Sequence, residues 1–340
     1  MKTRFIVLIT AIITISVGWF YGWNYLSDKA EQAFVAGIAK ANNGDRKVSC
    51  DNPRSGGFPF RLAIECEKPY FAQGDRLGFE GAGLTAQSVV YKPHHQVVDF
   101  KSPALIKAGK LGTLRLVWEN ARLGSQLQTN GLNAATAKIE KARLSIIDPP
   151  AELGDLSFSA ESVSVSARRS SGDEAANSLV LGVISNGLEV LGSKYRLPPV
   201  AVEASVLAYN IANVFEGRGS PLPLWIEKGG EADVNGLSII SGNAQIFAKG
   251  WVKLDLNGFI HADLDVDSTN IDAFIDAMGP ELVQFQAIAR GIYGAIRELG
   301  EDVKLGSQPA KRVKVTIRKG FVNVGLIPLG AIPQIDLSGI

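Results

Sequence analysis

Apolar and polar residues alternate along most of the chain beyond residue 80. The alternating stretches are 84–91, 96–101, 113–119, 137–147, 156–167, 200–209, 232–240, 243–257, 259–268 and 312–329. Alternation with a period of two predicts β-strands with one buried and one wet face. Short connectors rich in Gly, Asn, Asp and Pro favour antiparallel neighbours. We therefore predict a mainly β fold with accessory helices, built on a large antiparallel sheet that is curved or groove-like.

Two stretches follow a helical period instead. In 173–192 the apolar positions recur at spacings of three and four. In 270–299 they do so again, with a break at Gly279-Pro280 that divides the stretch into two helices. We interpret these helices as covers for the sheet, and a lid over an apolar cavity is the alternative. The apolar stripe of the last helix includes Phe285, Ile288 and Ile292.

The N-terminal segment is uniformly apolar. No charged residue occurs from Phe5 to Leu26, a run longer than the about 20 residues that a helix needs to cross a bilayer. Aromatic residues cluster at the far end of the run, as they do where lipid meets water. Lys2 and Arg4 precede it, so the positive-inside rule places residues 1–4 in the cytoplasm.

These features predict a single-pass signal-anchor. Its divisions are a cytoplasmic tail 1–4, a transmembrane helix 5–26, a juxtamembrane helix 27–41 and an extracytoplasmic β-rich domain 42–340. A cleaved signal peptide is the alternative, but the bulky end of the run lacks a small-residue cleavage site. Gly18 and Gly22 have the GxxxG spacing of helix dimers, which alone is a weak signal.

The two cysteines, Cys50 and Cys66, follow the anchor. An extracytoplasmic location favours a disulfide between them. Closing this loop would stabilise the fold by about 3 kcal/mol in the chain-entropy model. A redox or metal pair is the alternative, but neither a CxxC spacing nor a neighbouring histidine supports it. The segment 58–66 before the second cysteine alternates and is predicted as a strand.

Composition and motifs exclude several classes of function. The net charge is +1, which gives no field for binding nucleic acid. We find no nucleophile elbow, phosphate-binding loop, dinucleotide fingerprint or zinc-protease motif. Asp263, Asp265 and Asp267 resemble the start of a calcium loop, but the later ligand positions do not fit. We interpret them as a solvated strand face, with weak cation binding as the alternative. We therefore expect neither an enzyme nor a cofactor or metal site.

The segment from Cys50 to Cys66 carries a specific motif, C-x-N-P-R-x-x-G-F-P-F-R. It resembles a family of uncharacterised, membrane-anchored envelope proteins of Gram-negative bacteria. The resemblance implies an inner-membrane protein with most of its chain in the periplasm. The motif residues are Asn52, Pro53, Arg54, Gly57, Phe58, Pro59, Phe60 and Arg61.

A looser resemblance is to the AsmA-like group of inner-membrane-anchored proteins. The stretches 243–275 and 313–330 look like the strand–Gly–strand units of that group. The group implies a β-groove with an apolar lining that carries phospholipids between membranes. This chain is far shorter than the large members, which puts bridging of the periplasm in doubt.

We expect a non-enzymatic protein that binds lipid or another apolar ligand in a β-groove, for envelope lipid transport or homeostasis. The expected partners are the bilayer, a phospholipid and envelope proteins. A mouth of the groove would be lined by Phe58, Phe60, Phe285, Ile288 and Ile292, although an ordinary core is an alternative for each. Arg54 and Arg61 would order their loop or meet a headgroup. The alternative functions are an envelope scaffold acting through protein contacts and, less supported, an unrecognised hydrolase.

Overall fold

The computed structural model describes most of the chain. The chain folds into two compact units, residues 1–126 and residues 127–340. The predicted mainly β fold with antiparallel sheet and one long apolar N-terminal helix is confirmed. The described residues are 2–42, 44, 46–74, 77–109, 112–128, 131–147, 149, 156–170, 177–192, 197–212, 221–277, 283–335 and 337.

The first unit begins with helix α1, Lys2–Ala41. The helix has no break, so the predicted transmembrane and juxtamembrane segments are parts of one helix. It is long and apolar enough to cross a membrane, and its apolar window is not buried in the fold. Most side chains before Trp23 are exposed, which is the pattern expected of a helix whose surroundings are lipid.

Eight strands follow the helix, the last of which runs past the boundary of the unit. Their bounds are β1 Arg46–Cys50, β2 Arg54–Gly56, β3 Arg61–Cys66, β4 Pro69–Gln73, β5 Leu77–Val89, β6 Lys92–Ala108, β7 Thr113–Val117 and β8 Asn120–Gln128. The long hairpin of β5 and β6 is central. Strand β5 pairs with β4 along one half and with β3 along the other. Strand β6 divides its outer edge in the same way between β7 and β8.

The second unit continues as a series of antiparallel strands, each paired with a near neighbour in sequence. The bounds are β9 Gly131–Ile147, β10 Ser157–Arg169, β11 Leu179–Leu191, β12 Val200–Ala208, β13 Glu231–Ser241, β14 Ala244–Leu254, β15 Ile260–Thr269, β16 Glu301–Leu305, β17 Gln308–Arg318, β18 Phe321–Val324 and β19 Ile327–Ala331. Strands β9 to β15 pair in sequence order, and β15 then pairs with β17.

Two-residue turns connect several of these strands. Ser241 pairs with Ala244 around Gly242, whose φ is 56°, and Leu305 pairs with Gln308 around Gly306, whose φ is 62°. A positive φ at these positions matches the right-handed twist of a hairpin, and glycine adopts it without steric cost. The high glycine content of the chain therefore serves the turns.

The described part of the second unit also contains short and medium helices. They are α2 Pro221–Glu227, α3 Ile271–Asp276 and α4 Val283–Leu299. Helices α3 and α4 match the predicted pair of helices over 270–299, whose predicted break at Gly279-Pro280 lies outside the described residues. Ile226 of α2 and Ile275 of α3 are buried, with 3% and 1% of their surface exposed, so both helices pack on the unit.

The helix predicted over 173–192 is wrong where the structure describes it. Residues Leu179–Leu191 form strand β11, which pairs with β10 on one side and β12 on the other. The segment is apolar at most positions, so a helical and a strand period both fit it. Its valines and isoleucine favour an extended backbone, and pairing on both edges decides the outcome. Residues 173–176 lie outside the described part of the chain.

Candidate functional site

The predicted disulfide between Cys50 and Cys66 is present, and it joins the ends of β1 and β3. The two Cα atoms lie 5.6 Å apart, within the usual range for a disulfide. Cys66 is 2% exposed, so the bond belongs to the packed part of the first unit. A structural disulfide indicates an oxidising compartment.

The motif segment between the cysteines forms a tight loop rather than the beginning of a strand. Strand β3 starts only at Arg61, and residues 58–60 form a turn before it. Gly57 has a φ of 96°, and a Cβ atom there would lie 2.7 Å from the carbonyl oxygen of Arg61. A larger residue at Gly57 would therefore strain the backbone and clash with it. We call residues 57–61 the motif loop.

The motif loop packs its two phenylalanines against the aromatic residues of α1. The ring of Phe58 lies edge-on to the rings of Phe20 and Trp23, with centroids 5.7 and 5.3 Å away. The ring of Phe60 lies 6.2 Å from that of Trp19. These separations are typical of favourable aromatic pairs. The helix residues that the sequence indicated as an interfacial belt thus hold the motif loop.

Two indole groups of α1 also bind the backbone of the motif loop. Trp19 donates from Nε1 to the carbonyl oxygen of Pro59 at 2.9 Å, and Trp23 donates to that of Arg61 at 3.0 Å. Further along α1, the Glu31 carboxylate accepts a hydrogen bond from the backbone N–H of Ser55 in β2 at 2.9 Å. The loop and the helix are therefore joined by polar as well as apolar contacts.

The polar residues of the motif make local, solvent-exposed contacts. The Arg54 guanidinium lies 3.2 Å from the Glu67 carboxylate, and the Asn52 amide donates to the same carboxylate at 2.9 Å. These contacts order the segment, as expected for Arg54. The Arg61 side chain is exposed, so its predicted contact with a headgroup stays a prediction.

The predicted apolar lining is divided between the two units. Phe58 and Phe60 belong to the first unit and are 49% and 61% exposed. The other three residues lie on α4 in the second unit, where Ile292 is half-buried. The side chains of Phe285 and Ile288 lie outside the described residues. A common lining by these five residues stays a prediction.

The second unit carries a continuous apolar face that no single strand reveals. Residues paired directly across an antiparallel ladder point to the same side of the sheet. Two neighbouring rows of paired residues cross eight strands, β9 to β15 and β17, and every position in them is apolar. We call these two rows together the apolar face. The first row is Ala137, Val165, Val183, Ala204, Leu237, Ala248, Val266 and Val313. The second row is Ala135, Ala167, Leu181, Val206, Val234, Gly250, Leu264 and Val315.

The apolar face is only partly buried. All eight residues of the second row are half-buried, and in the first row only Ala248 and Val313 are buried. Val165 is 47% exposed. A sheet face that forms a closed core would be more fully buried than this. The apolar face therefore keeps surface available for contact with another molecule.

The residues that alternate with these rows are mostly polar. Between the two rows, the opposite side of the sheet presents Thr136, Ser166, Gly182, Ser205, Gly236, Asp265 and Lys314. Ile184 is an apolar exception on this side, and like Val165 it is 47% exposed. The sheet is thus amphipathic where the two apolar rows cross it.

The three aspartates of β15 lie on this polar side beside basic residues. Arg312 binds the carboxylate of Asp267 through two nitrogens at 2.6 and 2.7 Å, and this hydrogen bonding raises the pKa of Arg312. Arg318 binds Asp263 through a single nitrogen, which donates to the two carboxylate oxygens at 2.8 and 3.0 Å. Asp265 lies across from a lysine on each neighbouring strand. Asp267 is buried, so the prediction of a solvated face is wrong at this position. Asp267 instead forms an ion pair with Arg312.

No set of three or more His, Cys, Asp or Glu residues that could hold a metal occurs in the described part of the chain. His261 is paired with the Asp255 carboxylate at 3.0 Å. Burial raises the pKa of Asp255, but hydrogen bonds from His261 and from backbone N–H groups outweigh it, and the net pKa is lowered. This pair closes a local turn and has the character of a structural contact.

An open cleft of about 490 Å³ lies on strands β9 to β11. Charged residues of both signs line it, among them Lys141, Arg143, Glu161 and Glu189. It is therefore chemically unlike the apolar face. In the same unit, the buried hydroxyls of Ser185 and Ser268 have no hydrogen-bond partner among the residues that the structure describes.

Sequence reasoning missed the apolar face as a site, because register across strands is not visible in any one stretch. The signal that was available is the identity of the alternating residues, which are Val, Ala and Leu on one side in strand after strand.

The comparisons with known proteins identify the family. No curated protein and no solved structure matches the chain. A family model matches residues 23–333, which include the motif loop and all strands of both units. The chain therefore belongs to DUF2125, a family described as an uncharacterized protein conserved in bacteria.

Proposed function

We propose that the protein binds the acyl chain of a lipid along the apolar face while α1 anchors it in a membrane. The observation that carries this proposal is the pair of apolar rows across eight strands, most of whose residues are half-buried. At about 4.8 Å per strand, a row extends about 34 Å along the sheet. That exceeds the about 15 Å thickness of one hydrocarbon leaflet, so a lipid tail has room to lie across the strands.

The chemistry of the rows suits an alkyl chain. Their side chains are small and aliphatic, and each methylene removed from water contributes about 0.8 kcal/mol. No hydrogen-bonding side chain interrupts either row. We therefore propose a binding role on this face, without a cofactor.

The location belongs to the same proposal. Lys2 and Arg4 before the anchor favour an orientation with residues 42–340 across the membrane. The Cys50–Cys66 disulfide supports an oxidising compartment for them. In a bacterium these features fit an inner-membrane protein with its bulk in the periplasm, acting in envelope lipid transport or homeostasis. The resemblance to the AsmA-like group supports the same assignment.

Photo-crosslinking in membranes tests the proposal. A photoreactive amino acid replaces Val165 on the apolar face or, as the matched control, Ile184 on the opposite side. Both natural side chains are β-branched and 47% exposed, and they lie on adjacent strands. We expect phospholipid adducts at position 165 and few at position 184, as detected by mass spectrometry of the full chain.

Equal lipid adducts at the two positions would overturn the proposal. Protein adducts at position 165 in place of lipid would also overturn it and would favour the envelope scaffold, which acts through protein–protein contacts.

A further inference from the structure

The motif loop lies beside a part of α1 that belongs to the uncharged run Phe5–Leu26. At 1.5 Å per residue, Trp19 is about 21 Å along the helix from Phe5, and Trp23 is about 27 Å along it. The hydrocarbon core of a bilayer is about 30 Å thick. When Phe5 is at the inner boundary of the hydrocarbon, Trp19 and Trp23, which bind the loop, are therefore at or inside its outer boundary.

The charges before the anchor limit how far the helix can slide. Moving Trp19 out of the membrane would draw Arg4 toward the hydrocarbon, since both belong to one unbroken helix. A charged residue in the hydrocarbon is unfavourable. Such a shift would also expose the apolar residues after Trp19 to water. The helix thus holds the motif loop at the level of the outer lipid–water interface.

We infer that the motif loop enters the outer leaflet of the bilayer beside α1, with Phe58 and Phe60 in contact with lipid. The two rings are 49% and 61% exposed even though both pack on helix residues. Exposed aromatic side chains are typical of a membrane interface. The occupant of this surface is the same bilayer that surrounds α1, because the loop and the helix form one continuous surface.

The backbone of the loop is prepared for an environment with little water. An unsatisfied carbonyl in such a place would be strongly unfavourable. Four of the five carbonyls of the loop meet this need through α1 and neighbouring backbone, and Pro59 has no N–H group to satisfy. The carbonyls that accept hydrogen bonds are those of Gly57, Pro59, Phe60 and Arg61.

A second turn extends the surface at the same end of the sheet. The backbone N–H of Val90 donates to the carbonyl of Phe60 at 3.0 Å, which places the β5–β6 turn next to the motif loop. Tyr91 in this turn is 72% exposed, and Lys92 beside it is exposed. With Arg61, they give the aromatic and basic side chains that suit anionic headgroups.

Depth measurements on spin labels test this inference. The two native cysteines are bonded to each other and leave no free thiol, so Phe58→Cys or Phe60→Cys gives the full chain one site for a nitroxide. The control is Leu77→Cys, since Leu77 is 45% exposed and begins β5 at the end opposite the β5–β6 turn. The chain is placed in nanodiscs of phosphatidylcholine and phosphatidylglycerol.

We expect labels at positions 58 and 60 to collide more with oxygen than with a water-soluble nickel chelate, and the label at 77 to show the reverse. Chelate access at 58 and 60 equal to that at 77 would overturn the inference. Shielding from both reagents would also overturn it, because it would place another protein on the loop. Retention of the disulfide in each variant verifies folding. The outcome does not depend on the apolar face, so it is separable from the proposed function.

Discussion

The two units expose apolar side chains in different ways. In residues 1–126 the exposed apolar groups that pack beside α1 include the aromatic rings of Phe58 and Phe60 in the motif loop. In residues 127–340 the apolar face is aliphatic and repeats from strand to strand, as with Val165 and Val183. Aromatic rings suit the boundary of lipid and water, whereas aliphatic side chains suit an alkyl chain. The difference separates a surface that we propose meets a bilayer from one that we propose binds a single molecule.

The largest expected effect on lipid binding comes from a charge placed in the aliphatic surface. Val183 is paired directly with Val165, so Val183→Asp places a carboxylate next to the proposed lipid contact. Burying an unpaired charge is strongly unfavourable, and we expect lipid adducts at position 165 to fall at least about tenfold, or about 1.4 kcal/mol. The matched control is Ile184→Asp, which places the same charge on the other side of the strand and is expected to leave the adducts unchanged.

A large loss of stability is expected when the contact between α1 and the motif loop is broken. Trp23 is 9% exposed, packs on Phe58 and donates to the Arg61 carbonyl. Trp23→Ala is expected to destabilise the first unit by about 4 kcal/mol, as for other large aromatic truncations. Denaturant unfolding of the full chain in micelles measures this loss. Trp23→Phe is the graded control, because it keeps a ring and loses the hydrogen bond, at a cost of about 1 kcal/mol. A Trp23→Ala variant as stable as the natural chain would contradict the packing described here.

A smaller effect comes from the disulfide of the same unit. Replacing Cys50 and Cys66 together with alanine is expected to lower the free energy of unfolding by about 3 kcal/mol. The same unfolding experiment in reductant provides a check. Reductant is expected to lower the stability of the natural chain and to have no effect on the double variant. Identical stability with and without reductant in the natural chain would show that the bond contributes nothing.

The smallest effect distinguishes two adjacent buried hydroxyls in the second unit. Within the described part of the chain Ser268 has no hydrogen-bond partner, whereas Thr269 donates to the Pro309 carbonyl at 2.8 Å. Ser268→Ala is therefore expected to be neutral or to stabilise by less than about 1 kcal/mol. Thr269→Val keeps the shape of the side chain and is expected to cost about 1 kcal/mol or more. A loss on Ser268→Ala as large as that on Thr269→Val would mean that Ser268 has a partner.

The strands were the most predictable part of the molecule. Alternation indicated β5, β10, β12 and β14, because each has one side that faces an apolar environment. Strand β11 was predicted as a helix because nearly all of its positions are apolar and its period is ambiguous. The short strands β2 and β16 were missed, whereas β7, which is as short as β16, lies in the predicted stretch 113–119.

The surfaces were less predictable than the elements. Val165 and Leu237 lie in one row only because turns and bulges set the register of every intervening strand. Likewise, contact of Trp19 with Phe60 joins residues far apart in sequence. The sequence did indicate the aromatic belt and the motif separately, and the structure brings them together. Phe58 and Ile292, which were predicted to share a lining, belong to separate units.

Native mass spectrometry of the full chain tests the central claim most directly. The natural protein is compared with Val165→Asp and Ile184→Asp, which share the same anchor and so the same lipid around α1. We predict that the natural chain and Ile184→Asp retain at least one phospholipid that Val165→Asp loses. Equal phospholipid retention by all three proteins would contradict lipid binding on the apolar face.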